Sequence, residues 1–471
     1  MQPKIKLPTS VREIIATLKS AGYEAFAVGG SVRDLLLGKT TSGWDFTTNA
    51  RPQKILELFP DSFYDNRFGT VGVKVFDKIL KASRPVADKS QKSEEDINQD
   101  KPHDIYEITT YRSENSYSDF RHPDNIIWGD KLKTDLSRRD FTINAIATDG
   151  NSIIDPFSGQ DDLKLKIIKT VGDPQARFSE DALRMLRAVR IAAQLGFTID
   201  NSILPVIRRQ AHLLKNISWE RIAMELLKLL AADYPADGVL LLKNTTLLSL
   251  IIPELEAAFG VEQKSPDRHH VYDVGTHAVM ALKHCPSKDP IVRLATLLHD
   301  IGKPPTMKVD HKGIITFYNH EVIGARMARN IAQRLRLSKK QTDKIFTLVR
   351  WHQFSVDERQ TDSAIRRIIR RVGVDNLSDM LELRIGDRLG GGARETSWRL
   401  ELFKKRLAEV QVQPFSITDL AIDGYDVMKE LNCKPGPRVG QVLTEIFNEV
   451  ESGSLKNDRQ HLLQKLNTIS V

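Results

Sequence analysis

Cysteine is almost missing from this chain. Cys285 and Cys433 are the only two in 471 residues, far apart and in no metal-ligand spacing, which excludes a disulfide framework or a zinc ribbon and points to a reducing compartment. No uninterrupted apolar run reaches the length that crosses a bilayer, and the amino terminus carries no apolar signal core. A cytoplasmic location without a membrane partner is the expectation. Internal repeats and low-complexity tracts are lacking as well, and 41% hydrophobic with 28% charged residues excludes global disorder. What the chain does hold is an excess of positive charge, a formal +8. That favours a polyanionic partner, although many soluble enzymes carry as much.

At this length the chain exceeds one ordinary core and divides into two to four domains. Apolar residues at helical spacing from Val11 to Ala21 lead into a short apolar run, Ala25 to Val28, then Gly29 and Gly30, then a short helix from Ser31 to Leu37. Further strands are predicted at Trp44 to Thr47, Thr70 to Phe76, Ile105 to Tyr111 and Ile143 to Thr148, with a polar surface insertion between Lys81 and His103. From Asp161 onward the pattern is helical, with helices predicted at Ser179 to Leu195, Glu220 to Ala231 and Ala236 to Leu242. The fold class is therefore α+β: an α/β head followed by mostly helical domains. Pro253, Gln263 to His270 and Gly390 to Arg394 read as joints.

Several segments concentrate chemistry. Gly29-Gly30-Ser31-Val32-Arg33-Asp34 sets two small residues between a strand and a helix, so backbone N–H groups can approach phosphate oxygens. Asp45 follows on the next strand and can hold Mg²⁺ beside that turn; an ordinary turn with a surface aspartate is the alternative. Glu107 alternates with apolar Ile108 and offers another metal oxygen, or a surface ion pair. Arg138 and Arg139 can fork onto phosphate or ribose while Asp140 and Asn144 orient those groups. Ser179 is a plausible helix cap, and Asp181 and Arg184 three residues apart share one helix face, where they can read a base edge or simply pair with each other. Lys339, Lys344, Arg350, Arg366, Arg370 and Arg371 add basic groups that suit an RNA backbone or a solvated surface. His277, His299-Asp300, His320, His352 and Asp387 form a second constellation suited to a divalent or transition metal that activates water.

The opening Gly29 to Asp34, with Asp135 to Ala145 and Glu180-Asp181-Ala182-Leu183-Arg184, resembles the bacterial-type, class II tRNA CCA-adding enzymes and the related poly(A) polymerases. The resemblance spans most of the chain. It implies a nucleotidyltransferase head (1–148), a helical neck (149–262) in which Asp181 and Arg184 select the incoming nucleotide, and a tRNA-binding tail (393–471). It also implies tRNA, CTP and ATP as partners, with no obligate protein partner evident, and a polar loop within 112–130 that serves the change from cytidine to adenosine addition. An ATP-specific or partial-tail enzyme is the runner-up. Leu297-Leu298-His299-Asp300-Ile301-Gly302-Lys303-Pro304 resembles the HD-type phosphohydrolase domain attached to some of these enzymes (here 263–392). That implies His277, His299, Asp300 and Asp387 as principal ligands, His320 and His352 as additional ones, and Ni²⁺, Mn²⁺, Co²⁺ or Mg²⁺ as the metal. An inherited helical domain without metal chemistry is the competing reading.

One position departs from the family pattern. The family has two aspartates separated by one residue on the catalytic strand, whereas this chain has Gly43-Trp44-Asp45. Gly43 supplies no side-chain oxygen. The expectation is severely reduced catalysis unless Asp104 or Glu107 compensates, with a noncatalytic RNA-binding protein as the extreme case.

Overall fold

The computed structural model of the protein describes residues 5–41, 43–66, 69–75, 104–115, 125–129, 131–263, 272–311, 313–353, 362–392, 398–410 and 417–469. The predicted polar insertion, the centre of the 112–130 loop, most of the joint at Gln263 to His270 and the last two residues of the joint at Gly390 to Arg394 lie outside the described residues. The chain forms two compact units, Met1–Ile251 and Ile252–Val471.

The first unit carries strands β1 (Ala25–Val28), β2 (Asp45–Thr48), β3 (Ser62–Asn66), β4 (Thr70–Val75), β5 (Asp104–Thr110), β6 (Arg112–Asn115), β7 (Asn125–Trp128), β8 (Ala147–Thr148) and β9 (Ile153–Ile154). Seven of them make one mixed sheet in the order β3-β4-β5-β2-β1-β8-β9, and β6 with β7 forms a separate hairpin. Within that sheet, among the described residues, only β2 and β5 run parallel, with Asp45 opposite Glu107 and Thr47 opposite Thr109. Because side chains alternate along a strand, directly opposed residues share a face. Tyr106, Ile108 and Thr110 are buried on one side of β5, where Phe46 meets Tyr106 at 5.8 Å between ring centroids; Asp45 and Glu107 point to the other side. The helix Thr9–Ser20 buries Val11, Ile14, Ile15 and Leu18, the spacing of one helical face.

Two predicted elements differ. The strand expected from Ile143 begins instead as a 3₁₀ turn, Thr142–Asn144, with β8 only after it. Asn144 Nδ2 donates to Asp140 Oδ1 at 3.1 Å, and such local side-chain bonds compete with a ladder. The helix expected to start at Ser179 starts at Pro174, capped by Asp173, whose carboxylate accepts from the Ala176 N–H; it ends at Glu180, and a second helix runs Leu183–Leu195. Proline at the first helical position with an aspartate before it is a stronger start signal than Ser179.

The second unit is helical, with one short antiparallel pair, Lys308–Val309 with Ile315–Thr316, among the described residues. The helices Val274–His284 and Leu377–Gly390 cross closely. A Cβ on Gly386 would sit 2.6 Å from the Ala281 carbonyl oxygen, and one on Gly390 would sit 2.5 Å from the Ala281 nitrogen, so both positions need glycine. Near the carboxyl terminus, Gly424–Glu430, Pro437–Ser452 and Arg459–Leu466 close over a core that includes Val427, Ile446, Phe447, Leu462 and Leu466. Among the described residues no helix is long and apolar enough to cross a membrane.

Candidate active site and a buried histidine cluster

The glycine turn after β1 has a defined neighbourhood. Gly29 has φ +88°, and a Cβ built there would lie 3.1 Å from both Arg139 Nη1 and Asp45 Oδ2. A guanidinium and a carboxylate thus converge over the turn, and only glycine leaves room for them. Burial raises the pKa of Asp45 above the ordinary carboxylate range, against the pull of Arg139 and Arg187. Glu107 stands beside Asp45 on the neighbouring strand. Two carboxylates on one face beside a phosphate-sized turn are a donor set that suits a hard divalent cation. Gly43 adds nothing to that set. Its φ is +67°, its N–H donates to Asp104 Oδ2 at 3.1 Å, and its carbonyl accepts from Ser31 Oγ at 3.1 Å. Asp104 Oδ1 accepts from the Ile105 N–H, so both oxygens of Asp104 are committed to backbone.

Behind the turn a chain of charge-assisted bonds ties the sequence motifs together. Arg33 donates from Nε to Asp34 Oδ1 at 2.8 Å and from Nη1 to Asn144 Oδ1 at 2.8 Å. Asn144 donates to Asp140, whose Oδ2 accepts from Arg187 Nε and Nη2 at 2.8 and 2.6 Å. Burial would raise the pKa of Asp140, but Arg187 outweighs it and holds the carboxyl well below its usual range. Arg138 forks onto buried Asp135 at 2.8 and 2.9 Å, while Asp135 Oδ2 accepts from Thr47 Oγ1. Replacing Arg187 by Met leaves Asp140 buried without its partner. Discounting for the 37% exposure of the Arg187 side chain, the expected loss is about 2–3 kcal/mol, read by denaturant unfolding of the full chain; a loss below about 0.5 kcal/mol, the size of an ordinary surface substitution, would refute the coupling.

Asp181 and Arg184 do not share a helix face in the way their spacing suggests. Asp181 lies in the break between two helices, at φ −142° and ψ 105°, because its Oδ1 accepts from the Leu183 N–H and starts the second helix. Its Oδ2 accepts from Arg221 Nη2 at 2.8 Å. Arg184 donates to Glu180 Oε2 at 2.5 Å, to the Arg177 carbonyl at 3.2 Å and to the Arg138 carbonyl at 3.1 Å. The two side chains are thus held separately, Arg184 against the segment that carries Arg139 and Asp140. Arg187 and Arg221 escaped the sequence reading. Arg187 had a signal, one helical turn beyond Arg184, whereas Arg221 is close only through tertiary folding.

In the second unit the histidines expected as ligands do converge. His277, His299, Asp300, His320 and His352 are all buried. His299, His320 and His352 each use Nδ1 to donate to the carbonyl three residues earlier, those of Thr296, Phe317 and Val349, at 2.7–2.8 Å. A carbonyl only accepts, so Nδ1 carries a proton in each ring and Nε2 is turned inward toward Asp300. His277 Nε2 lies 3.3 Å from His299 Nε2 and 3.1 Å from Asp387 Oδ1. Arg384 Nη1 fixes Asp387 Oδ2 at 2.6 Å. Lys303 Nζ reaches Asp300 Oδ2 at 2.6 Å and Gln263 Oε1 at 2.8 Å. Burial alone would lower the pKa of His299, but Asp300 and Asp387 outweigh it and push it up to about 10; burial and the neighbouring His299 push His352 down to about 3.

Glycine again makes the approach possible. A Cβ on Gly302 would sit 2.1 Å from the His320 carbonyl oxygen and 2.5 Å from the Gly324 nitrogen. Gly302→Ala should therefore destabilise the second unit by about 2–3 kcal/mol, seen as a lower unfolding midpoint; an unchanged midpoint would show that the packing yields. Several basic residues read as RNA contacts are used internally: Lys344 bridges Asp289 and Asp379, Arg370 pairs with Glu451, and Arg350 and Arg371 lie over the Trp351 ring.

Comparison with known proteins places this geometry in context. Residues 25–169 match the family model of the poly A polymerase head domain, residues 196–259 the probable RNA and SrmB-binding site of polymerase A, and residues 315–466 a tRNA nucleotidyltransferase domain 2. A CCA-adding enzyme of Levilactobacillus brevis is 31% identical over 461 residues, covering 96% of each chain. One from Geobacillus sp. strain WCH70 is 43% identical over 244 residues, covering 51% of this chain and 54% of that one. The crystal structure of the Bacillus stearothermophilus CCA-adding enzyme in complex with CTP superposes with a TM-score of 0.69 at 27% identity, covering 99% of this chain and 97% of that one.

Proposed function

The chain belongs to the family of bacterial CCA-adding enzymes and poly(A) polymerases, and from that premise we propose how its residues share the work of building CCA on tRNA 3′ ends from CTP and ATP. The carrying observation is the convergence of Asp45 and Arg139 on the Gly29 turn, with Glu107 paired beside Asp45 on the neighbouring strand. The turn from Gly29 to Arg33 receives the triphosphate, and Arg139 balances its charge. Asp45 and Glu107 would hold Mg²⁺, which supplies positive charge to the triphosphate and to the ribose 3′-hydroxyl when bound. Attack of that hydroxyl on the α-phosphorus forms the new phosphodiester and releases pyrophosphate. Asp181 and Arg184, each held by its own partner, present acceptor and donor groups to the base edge. Asp140, Asn144 and Arg33 position the turn.

We assign residues 1–148 to the catalytic head, 149–262 to the neck, 263–392 to an HD-type metal domain and 393–471 to the tRNA-binding tail. The buried histidine cluster supports the third assignment: inward Nε2 atoms beside two carboxylates are a donor set that suits a metal-dependent phosphohydrolase acting on terminal or 2′,3′-cyclic phosphates. The test uses tRNAs ending before each tail nucleotide, with CTP and ATP supplied separately and together, and sequences the products. Stepwise C, C and A addition is expected. A poly(A) tract from ATP alone would overturn CCA specificity, and tight tRNA binding without extension would overturn catalysis. Hydrolysis of a 2′,3′-cyclic phosphate end by protein with an inactivated head tests the second site.

A further inference from the structure

Asp135 is a fully buried carboxylate on the short helix Leu132–Ser137, and nucleotide addition asks nothing of it directly. Its oxygens nevertheless hold segments that are far apart in sequence. Oδ2 accepts from Thr47 Oγ1 at 2.8 Å, and Thr47, two residues beyond Asp45 on β2, shares the face of that residue. Oδ1 accepts from Arg138 Nε at 2.9 Å and lies 2.8 Å from Arg138 Nη2. The same oxygen accepts from the Arg112 N–H at 3.4 Å, at the foot of the β6–β7 hairpin, where Arg112 pairs with Trp128. Burial would raise the pKa of Asp135, but Arg138 and Arg139 outweigh it and hold the carboxyl below its usual range.

Arg138 carries the anchor onward. Its side chain is gripped by Asp135, and its carbonyl accepts from Arg184 Nη2 at 3.1 Å. The other bonds of Arg184 go to Glu180 and to the Arg177 carbonyl, both on the helix just before it, so the bond to Arg138 is what refers its guanidinium to the head. Arg139, the next residue, stands over the Gly29 turn with Asp45, and Asp135 and Asp45 both favour its charge against burial. One carboxylate therefore sits between the strand that carries Asp45 and the backbone that holds Arg184.

We propose that Asp135 is a positioning residue that couples base selection to catalysis. By fixing Arg138 against β2, it keeps Arg184 in register with Asp45, so that a nucleotide whose base meets Arg184 also brings its α-phosphorus to the attacking hydroxyl. Such registration matters because a misplacement of about 1 Å can cost about 10²-fold in rate. An ionised carboxylate suits the task, since it takes the guanidinium fork and the Thr47 hydroxyl together. The proposal rests on the base-reading role given to Asp181 and Arg184 above and adds the residue through which reading reaches the chemistry.

The experiment uses the full chain and a tRNA ending in CC, and reads the ratio of kcat/KM for ATP over CTP. Asp135→Asn keeps the shape but loses the charge, and should lower that ratio about tenfold; a carboxylate with only a structural role would slow both nucleotides together and leave the ratio unchanged. Arg138→Lys keeps the charge without the fork and should reproduce the drop, which keeps the test open should Asp135→Asn fail to fold in a circular dichroism melt. In an Arg184→Ala background, Asp135→Asn should change the ratio by less than about twofold, because both act through one path. An unchanged ratio in a folded Asp135→Asn or Arg138→Lys, or a further tenfold loss on top of Arg184→Ala, would overturn the coupling while leaving base reading by Arg184 in place. An unchanged ratio in Arg184→Ala alone would overturn the base-reading role itself.

Discussion

Asp45→Asn should lower the rate of nucleotide addition to tRNA by about 10³-fold or more, with tRNA affinity changed by less than about threefold. The substitution is nearly isosteric, so the packing around Gly29 survives. What disappears is the single carboxylate on β2, which faces Arg139 across the turn and sits next to Glu107. In phosphoryl transfer the protein contributes mostly positioning and charge stabilisation, so losing the anchoring charge removes the largest contribution. The loss is expected to be greater here than in a site with two strand carboxylates, because Gly43 provides no reserve. Single-turnover extension of a tRNA lacking its terminal adenosine measures the rate, and filter binding measures affinity. A loss under tenfold would mean that Asp45 does not carry the reaction.

Much of this was legible in the sequence because it is local. The strand ending in Gly29-Gly30, the strand carrying Asp45 and the alternation that turns Glu107 away from Ile108 all follow from short-range rules, and the structure contains all three. The histidines were visible as residue types, but the oxygen of Asp300 that each ring faces was not, since it depends on tertiary packing. The helices were less well placed. Asp173-Pro174 outcompeted Ser179 as a start, and the two-residue break at Asp181 depends on one side-chain bond to the Leu183 N–H. The fixed position of Asp181 also depends on Arg221, forty residues on, and no periodicity reveals such a partner. Glycine is ambiguous in a sequence. Gly302, Gly386 and Gly390 look like helix weaknesses in sequence, yet each marks a close approach that brings a proposed ligand into the cluster.

Gly43→Asp should raise the Mg²⁺-dependent addition rate, by about 10–100-fold if the new carboxylate reaches the face of Asp45. Space is not the obstacle, since a Cβ at Gly43 meets no heavy atom within 4 Å. The obstacle is conformation. At φ +67° residue 43 is left-handed, a region aspartate enters at a cost of about 1 kcal/mol, and the rule that residues two apart share a face holds only for an extended backbone. Residue 43 must therefore extend along β2 for its carboxylate to join Asp45, which breaks the bond from its N–H to Asp104 Oδ2 at 3.1 Å. Asp104 would then resist the change twice, by holding that N–H and by repelling a second carboxylate nearby. The gain should accordingly be larger in an Asp104→Asn background, which keeps a neutral oxygen for the backbone and removes the repulsion. Steady-state addition of AMP to a tRNA ending in CC, measured across Mg²⁺ concentration for the parent, the single and the double variant, decides the matter. Equal rates in all three would mean that Asp45 and Glu107 already suffice, and that the missing carboxylate at position 43 costs this enzyme nothing.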